Sequence, residues 1–468
     1  MDTELFSRFN AWIDAHFEEL LSDLEGLIRI PSVARYDDEK TPYGPECLRV
    51  LNHMRGLAAR YGLISRSVDE RCAVISNAPV ADGICLWNHL DVVPAGEGWT
   101  YTAPFEPKRV GDYLIGRGAG DNKGPAVAGL YILRMFNELG VSLRHSLSLC
   151  LGTDEETRMS DVIHYAKTQP AAKLNLVADS AFPVCFAEKG IIEADIISNE
   201  ALDEIAEFSA GMASNIVPDS AFMRLCAPLC DQPLPDAERV QVQSAADGIT
   251  LRASGLAAHS AHPENGVNAI HELTGYALKA LTLSPAARRA LEFFTAINDD
   301  TKGTALGIES GDAVSGQTTC AGTMARMEGQ RPVLRVNIRY AVTLKGGELL
   351  DLMNEACRKN GCTLLNVHLN EANYFPPENP VVNALTRVFN DISGLDKQPY
   401  AMGGGTYARK LPNAVAYGLG GLPVPETDLF APGHGGAHQA DEGLYLPNFK
   451  TAIGILAMSI LEADGALA

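Results

Sequence analysis

The sequence predicts an α/β fold: a layered α/β domain with a mixed, mostly parallel sheet, interrupted by an inserted α+β domain. Three observations point there. Over the first 190 residues, short apolar runs alternate with helix-length segments, as strands covered on both faces do. From Glu188-Lys189-Gly190 to about Pro376 the strand-like runs instead alternate polar and apolar residues, the habit of antiparallel strands with one wet face. Finally, 468 residues exceed what one core holds, since single cores stop growing at roughly 250–300 residues. The expected division is residues 1–187 and 377–468 for the layered domain and 188–376 for the insertion.

The elements follow in order. Leu5, Phe9, Trp12, Ile13, Phe17, Leu20, Leu21 and Leu24 recur at helical spacing. The acidic residues among them exclude a basic, apolar leader, so this segment reads as an amphipathic helix. Cys72–Ser76, Gly83–Asp91, Leu147–Gly152 and Leu174–Asp179 read as strands, and Gly124–Leu139 as a helix opened by Gly124 and Pro125. In the insertion, Thr250–Ser254 and Val333–Tyr340 alternate as strands, with helices expected at His271–Leu283 and Gly347–Asn360. Pro376-Pro-Glu-Asn-Pro380 reads as a hinge. Helices at Val381–Ile392 and Asn448–Leu461, with glycine-rich turns at 403–405 and 418–421, return to α/β character.

Composition narrows the function. The net charge of -20 repels phosphate backbones and speaks against nucleic-acid binding. No uncharged apolar run reaches the ~18 residues of a membrane span. The ten cysteines are scattered without a C-x-x-C, the closest pairs being Cys226/Cys230 and Cys357/Cys362. They read as reduced thiols in a cytoplasmic protein.

Five segments concentrate carboxylates and imidazoles, most of them where a predicted strand ends, the place where α/β sheets put their active sites. His89 and Asp91 are two apart and share a strand face. Asp91 is close enough to hold a ligand in place, and spacing leaves open which one. Asp121 lies in Gly116-Arg-Gly-Ala-Gly-Asp-Asn-Lys-Gly, where glycines let the chain turn tightly before a helix. An aspartate there would repel phosphate, so a nucleotide loop is disfavoured. Glu155 and Glu156 are adjacent after a strand and point different ways, so that one can ligate a metal while the other holds a nucleophilic water. Asp179 ends an apolar strand. His434 and His438 precede Asp441 and Glu442, and spacing does not choose between the two histidines. Histidines and carboxylates without cysteine suit Zn, Mn or Co rather than a structural zinc site. Several carboxylates balance two divalent ions.

The ordered set N-H-L-D-V-V-P (88–94), G-R-G-A-G-D-N-K-G-P (116–125), G-T-D-E-E-T (152–157), A-D-S-A-F-P-V (178–184), N-I-V-P-D (215–219), A-H-S-A-H-P-E-N-G-V-N-A (258–269), N-I-R-Y (337–340), G-G-T-Y-A-R (404–409) and A-H-Q-A-D-E (437–442) spans nearly the whole chain. It resembles the dinuclear metallopeptidase family of carnosinase and acetylornithine deacetylase, and within it the peptidase V type of dipeptidase (Xaa-His or β-Ala-Xaa dipeptidase). The resemblance implies two divalent ions, Zn or Mn with Co as a further option. His89 and Asp179 would hold one, Glu156 and His438 the other, and Asp121 would bridge them. Glu155 would be the general base, with Asp91 supporting a ligand. It also implies a catalytic α/β domain and an inserted lid. In the lid, Asn215 and His259 would contact the reacting carbonyl, with His262 a rival for His259, and Arg339 would hold the substrate's C-terminal carboxylate. Gly404, Gly405 and Thr406 would cradle that end. The sequence departs from the family at Asn122 (often a second Asp or a Met), at Ala181 (often acidic) and at Thr157–Ser160. The small polar Asn122 is expected to be tolerated, while the others bear on metal preference and substrate range.

The expected function is metal-dependent hydrolysis of dipeptides with a free C-terminus, by a cytoplasmic monomer whose partner is a small peptide, with no nucleic acid and no membrane. The alternatives are a dimer, an N-acyl-amino-acid deacylase on the same metal site, and a non-catalytic metal- or peptide-binding protein.

Overall fold

The computed structural model describes residues 2–36, 41–78, 83–226, 238–245 and 248–467. Cys230 lies outside these. The chain forms two compact units, one of residues 1–186, 375–400 and 405–468, the other of 187–374 and 401–404.

The first unit is built on a mixed sheet. Leu147–Gly152, Ile84–His89, Leu174–Val177 and Ala414–Ala416 lie side by side and parallel. Cys72–Ser76 and then Ile64–Val68 extend it antiparallel on one side, and Ala416 pairs antiparallel with Cys185 on the other. Every residue of the four parallel strands is buried. Because successive strand residues face opposite ways, both sheet faces must be covered. Helix Lys123–Leu139 packs on Ile84–His89 and Leu147–Gly152, flanked by Thr3–Ile28 and Leu446–Ala466. It is buried around almost its whole circumference, which explains why its sequence is apolar all round rather than striped. The first helix keeps its stripe: Phe9, Trp12, Ile13, Leu20, Leu21 and Leu24 are buried. The sequence reading named no helix at Pro45–Arg60 or Ser160–Thr168, yet both form.

In the second unit, eight antiparallel strands run in the order Val240–Ala245, Gly248–Ser254, Ser220–Leu225, Ile205–Ala210, Thr319–Glu328, Arg331–Tyr340, Gly190–Ser198, Cys362–Asn370. Period-two alternation sorts its faces. Ile192, Ala194, Ile196, Leu334, Val336 and Ile338 join a core with Leu273, Leu291, Phe294 and Met353 from helices Ala269–Ala280, Pro285–Ile297 and Gly346–Lys359. The expected helix over 271–283 forms as Ala269–Ala280, and a further helix that the sequence reading did not name, Pro285–Ile297, follows it, capped by the Ser284 hydroxyl accepting from Ala287 N–H. Gly190 faces Tyr340 across the strands, and a Cβ there would sit 1.9 Å from the ring. Only glycine leaves that space.

The opposite face carries a charge ladder. Asp195 is buried and meets Arg335 (3.1 Å), Arg326 (2.9 Å) and the Asn366 amide (2.8 Å). Burial alone would raise its carboxyl, but Arg326, Asn366 and Arg335 outweigh that and hold it below the ordinary range. Among the described residues no helix is long and apolar enough to cross a membrane.

Asp195→Asn should destabilise the second unit by about 2–3 kcal/mol near neutrality, the loss of charged hydrogen bonds that are partly open to water. A depressed folded pKa gives stability that is full above the ordinary carboxylate value of about 3.9 and is lost as pH falls through the folded value. The gap between wild type and variant should therefore close on acidification below pH ~4. Urea titrations at pH 7 and pH 3 would refute this if the gap were equal at both.

Candidate active site

Three parallel strands end at the same edge of the first sheet and deliver the reactive groups there. His89 closes Ile84–His89, Glu155 and Glu156 follow Leu147–Gly152, and Asp179 follows Leu174–Val177. Asp121 lies on the loop entering helix Lys123–Leu139, and His438 on the loop before helix Leu446–Ala466. His89 Nε2 is 3.0 Å from Asp121 Oδ1 and 3.7 Å from Asp179 Oδ2. His438 Nε2 is 3.1 Å from both Asp121 Oδ2 and Glu156 Oε1. Two ligand-type groups result, His89/Asp121/Asp179 and Asp121/Glu156/His438, each with its atoms within 4.8 Å of one another. They share Asp121.

The two C-terminal histidines differ in what they touch. His434 Nδ1 is 2.8 Å from Asp441, whose carboxylate also accepts from Thr100 N–H and Tyr101 N–H, so His434 is turned into the loop. Asp91 touches both His89 and Glu156. Its backbone oxygen accepts from His89 Nδ1 (3.0 Å), its Oδ1 lies 3.5 Å from the same nitrogen, and its Oδ2 accepts from Glu156 N–H (3.0 Å). With its proton on Nδ1, neutral His89 presents the Nε2 lone pair to Asp121 and Asp179, the tautomer a metal ligand needs.

The electrostatics record the crowding. Burial, then the charge of Asp179, pushes the Glu155 carboxyl well above the ordinary range. Burial raises Glu156 to about 7, with Asp121 adding to the shift and His438 opposing it. Hydrogen bonds donated to the Asp121 and Glu156 carboxylates lift the His438 imidazole to about 10. Burial would lower His89, but Asp179, Asp121 and Asp91 together hold it well above its usual value.

Other side chains hold this arrangement, and the sequence reading gave them no such job. The buried Glu442 pairs with buried Arg117 at 2.7 Å. Its other oxygen accepts from the N–H groups of Gly118, Gly120 and Asp121 at 3.0–3.1 Å. Arg117 also donates to the carbonyls of Ala95 and His438, tying the Asp121 loop to the His438 loop. Asn122 accepts from Asn88 and donates to Asp179 Oδ1 (2.9 Å) and Ala178 O. Buried Asp161 accepts from the N–H groups of Thr153 and Asp154 and from the Tyr407 hydroxyl, which fixes the turn that carries the glutamates. The available signals were faint: an arginine inside a glycine loop, and a second acid after Asp441.

The remaining candidates are placed as follows. Asn215, His259, Arg339 and Gly404 belong to the second unit, and Gly405 and Thr406 to the first. His259 lies opposite Ile216, and Asn215 O accepts from Ser260 N–H. Its Nδ1 accepts from Ala261 N–H (3.1 Å), so the neutral ring carries its proton on Nε2 as a donor. His262 is exposed beside Glu264. The Arg339 guanidinium donates to Asn337 Oδ1 (2.9 Å), Gly403 O (3.1 Å) and Ser260 Oγ (3.4 Å). Asn337 in turn donates to Glu193, which fixes which way its amide points. A Cβ on Gly405 would lie 1.5 Å from the Arg409 guanidinium. Thr406 is buried, and its hydroxyl caps the turn Tyr407–Lys410.

Residues 85–462 match the model of peptidase family M20/M25/M40. A protein of Bacillus subtilis (strain 168) named "Putative dipeptidase YtjP" is 30% identical over 466 residues, 95% of this chain and 97% of that protein. Among solved structures, human carnosine dipeptidase 1 aligns with a TM-score of 0.59 at 15% identity, covering 98% of this chain and 99% of its own. The M20 family metallo-carboxypeptidase Sso-CP2 of Sulfolobus solfataricus aligns with a TM-score of 0.56 at 15% identity, covering 95% and 99%. At such identities the structural likeness is one of fold.

Glu442→Gln should strand the buried Arg117 charge and cost about 3–5 kcal/mol. Thermal unfolding would show it as a clear fall in melting temperature. An unchanged melting temperature would refute the role given to the pair.

Proposed function

We propose, from the premise that the chain belongs to peptidase family M20/M25/M40, that it is a metal-dependent dipeptidase acting on short peptides with a free C-terminus. The observation that carries this is the pair of ligand groups sharing Asp121, with Glu155 beside them. The donor set fits divalent ions. Two imidazoles and a surplus of carboxylates, drawn together at one edge of the sheet, match the ligand types of Zn and Mn. His89, Asp121 and Asp179 would hold one ion, and Asp121, Glu156 and His438 a second. The dipeptidase names of the relatives and the metallo-carboxypeptidase name of a structural neighbour support the reading. They do not favour the deacylase alternative.

Bound divalent ions lower the pKa of a coordinated water toward about 7 and polarise the amide carbonyl. Glu155 accepts the proton of the attacking water at its carboxylate and delivers it to the leaving amine nitrogen. Asp91 keeps His89 in the tautomer that presents Nε2. Asn122 orients Asp179, and Glu442 fixes the backbone of Asp121. In the second unit, the Nε2–H of His259 is a donor suited to an oxyanion. Arg339 is a planar fork suited to a carboxylate, and that is the reason for proposing an exopeptidase.

The test is hydrolysis of a dipeptide panel by metal-stripped protein, with Zn²⁺ or Mn²⁺ restored in turn and N-acetyl amino acids run alongside. Dipeptide cleavage that appears only with added ion is the expected outcome. Cleavage of the acyl substrates alone would move the protein to the deacylases. Ion uptake should also release protons, because Glu155, Glu156 and both histidines hold theirs above the ordinary ranges. Apparent affinity should therefore rise with pH, and calorimetry in buffers of different ionisation heat would read the proton count. Separately, Glu155→Gln should lower kcat by about 10²–10⁴ with ion binding retained. Unchanged turnover would remove Glu155 from the mechanism.

A further inference from the structure

Beside the ligand groups the first unit contains a cavity of about 380 Å³, within the roughly 300–1,000 Å³ of small-molecule sites. Asp121 and Asp179 line one side of it. Pro125, Leu419, Leu422, Leu444 and Phe449 supply an apolar remainder. Its wall is fixed rather than loose: the Asn448 amide donates to the carbonyls of Leu422 (3.2 Å) and Pro423 (3.0 Å). Phe449 is buried in the last helix, and Leu419 is anchored where its strand pairs with Ser180, the residue after Asp179.

We infer that this cavity receives the side chain of the substrate's N-terminal residue and selects large apolar ones. The inference rests on the dipeptidase reading. A carbonyl presented to the ligand groups belongs to the N-terminal residue, so that residue's side chain is the nearest part of the substrate able to enter an adjoining cavity. The lining then decides which side chains gain. Leu or Phe exchanges water for Leu419, Leu422 and Phe449. An acidic side chain would have to shed its water against an apolar lining that offers it no counter-charge. A β-alanyl residue carries no side chain and leaves the cavity unfilled. The chain should therefore prefer Leu-Ala and Phe-Ala over Ala-Ala, and all three over Asp-Ala and β-Ala-His.

The experiment measures kcat/KM for these five peptides and for Ala-Leu, on full-length protein restored with Zn²⁺ or Mn²⁺. Leu-Ala should exceed Ala-Ala by about 10-fold or more, the low end of what methylene groups contribute in an apolar pocket. Leu422→Trp, which fills the cavity, should bring that ratio close to one. Leu422→Ala, a milder change, should instead raise Phe-Ala relative to Leu-Ala. A Leu-Ala to Ala-Ala ratio unchanged in both variants would overturn the assignment, given wild-type melting temperatures. So would a preference that follows the C-terminal residue, with Ala-Leu the peptide sensitive to Leu422. Cleavage of every dipeptide at similar rates would overturn the pocket and leave the dipeptidase reading standing. No cleavage of any of them with either ion would overturn both.

Discussion

Like charges held at close quarters are the constraint on which the first unit turns. Asp121, Glu155, Glu156 and Asp179 meet where three strands end, with Asp91 buried behind them. Left free, such groups would separate and solvate. They stay because each is attached to something rigid: a strand end, a helix start, or a turn closed by hydrogen bonds. The raised carboxyls of Glu155 and Glu156 and the raised imidazoles of His89 and His438 are the cost of that arrangement. The same features make it receptive to cations.

The attachments share a logic. None of the supporting groups competes for the position a cation would occupy. Glu442 spends its charge on Arg117 and on backbone N–H groups, so Asp121 is held by its main chain and its carboxylate stays available. Asn122 takes one oxygen of Asp179 and leaves the other facing His89. Asp91 reaches the Glu156 main chain and the far nitrogen of His89. Asp161 acts one step further back, on the Thr153–Asp154 turn. Positioning through backbone and through the distal atom of each ligand is what keeps a crowded site open at its centre.

Much of this was legible in the sequence because strand ends are legible. The apolar runs before His89, before Glu155 and before Asp179 announced both the sheet and the edge at which its polar residues gather. What was not legible depends on contacts between distant segments. The histidine spacing left His434 and His438 equal and only the resemblance named His438; in the fold His438 lies against Asp121 and Glu156 while His434 is held by Asp441. Asn122 read as a tolerated departure, whereas in the fold it bridges Asn88, Ala178 and Asp179. Helix Pro45–Arg60 went unnamed although its apolar positions are buried against the outer strands. The cavity walls come from residues near 125, 420 and 445, which no local pattern joins.

The second unit applies the same reasoning to a cation. Arg339 is buried, and its guanidinium donates to oxygens of Asn337, Gly403 and Ser260. Glu193 is engaged with Arg335 and with the Asn337 amide. The Asn337 amide oxygen fixes the direction of the guanidinium, and the Asn337 NH2 group is itself fixed by Glu193, so the acid acts on the arginine's orientation through a neutral relay. A planar guanidinium held in one direction keeps its donors parallel, the geometry that distinguishes arginine from lysine.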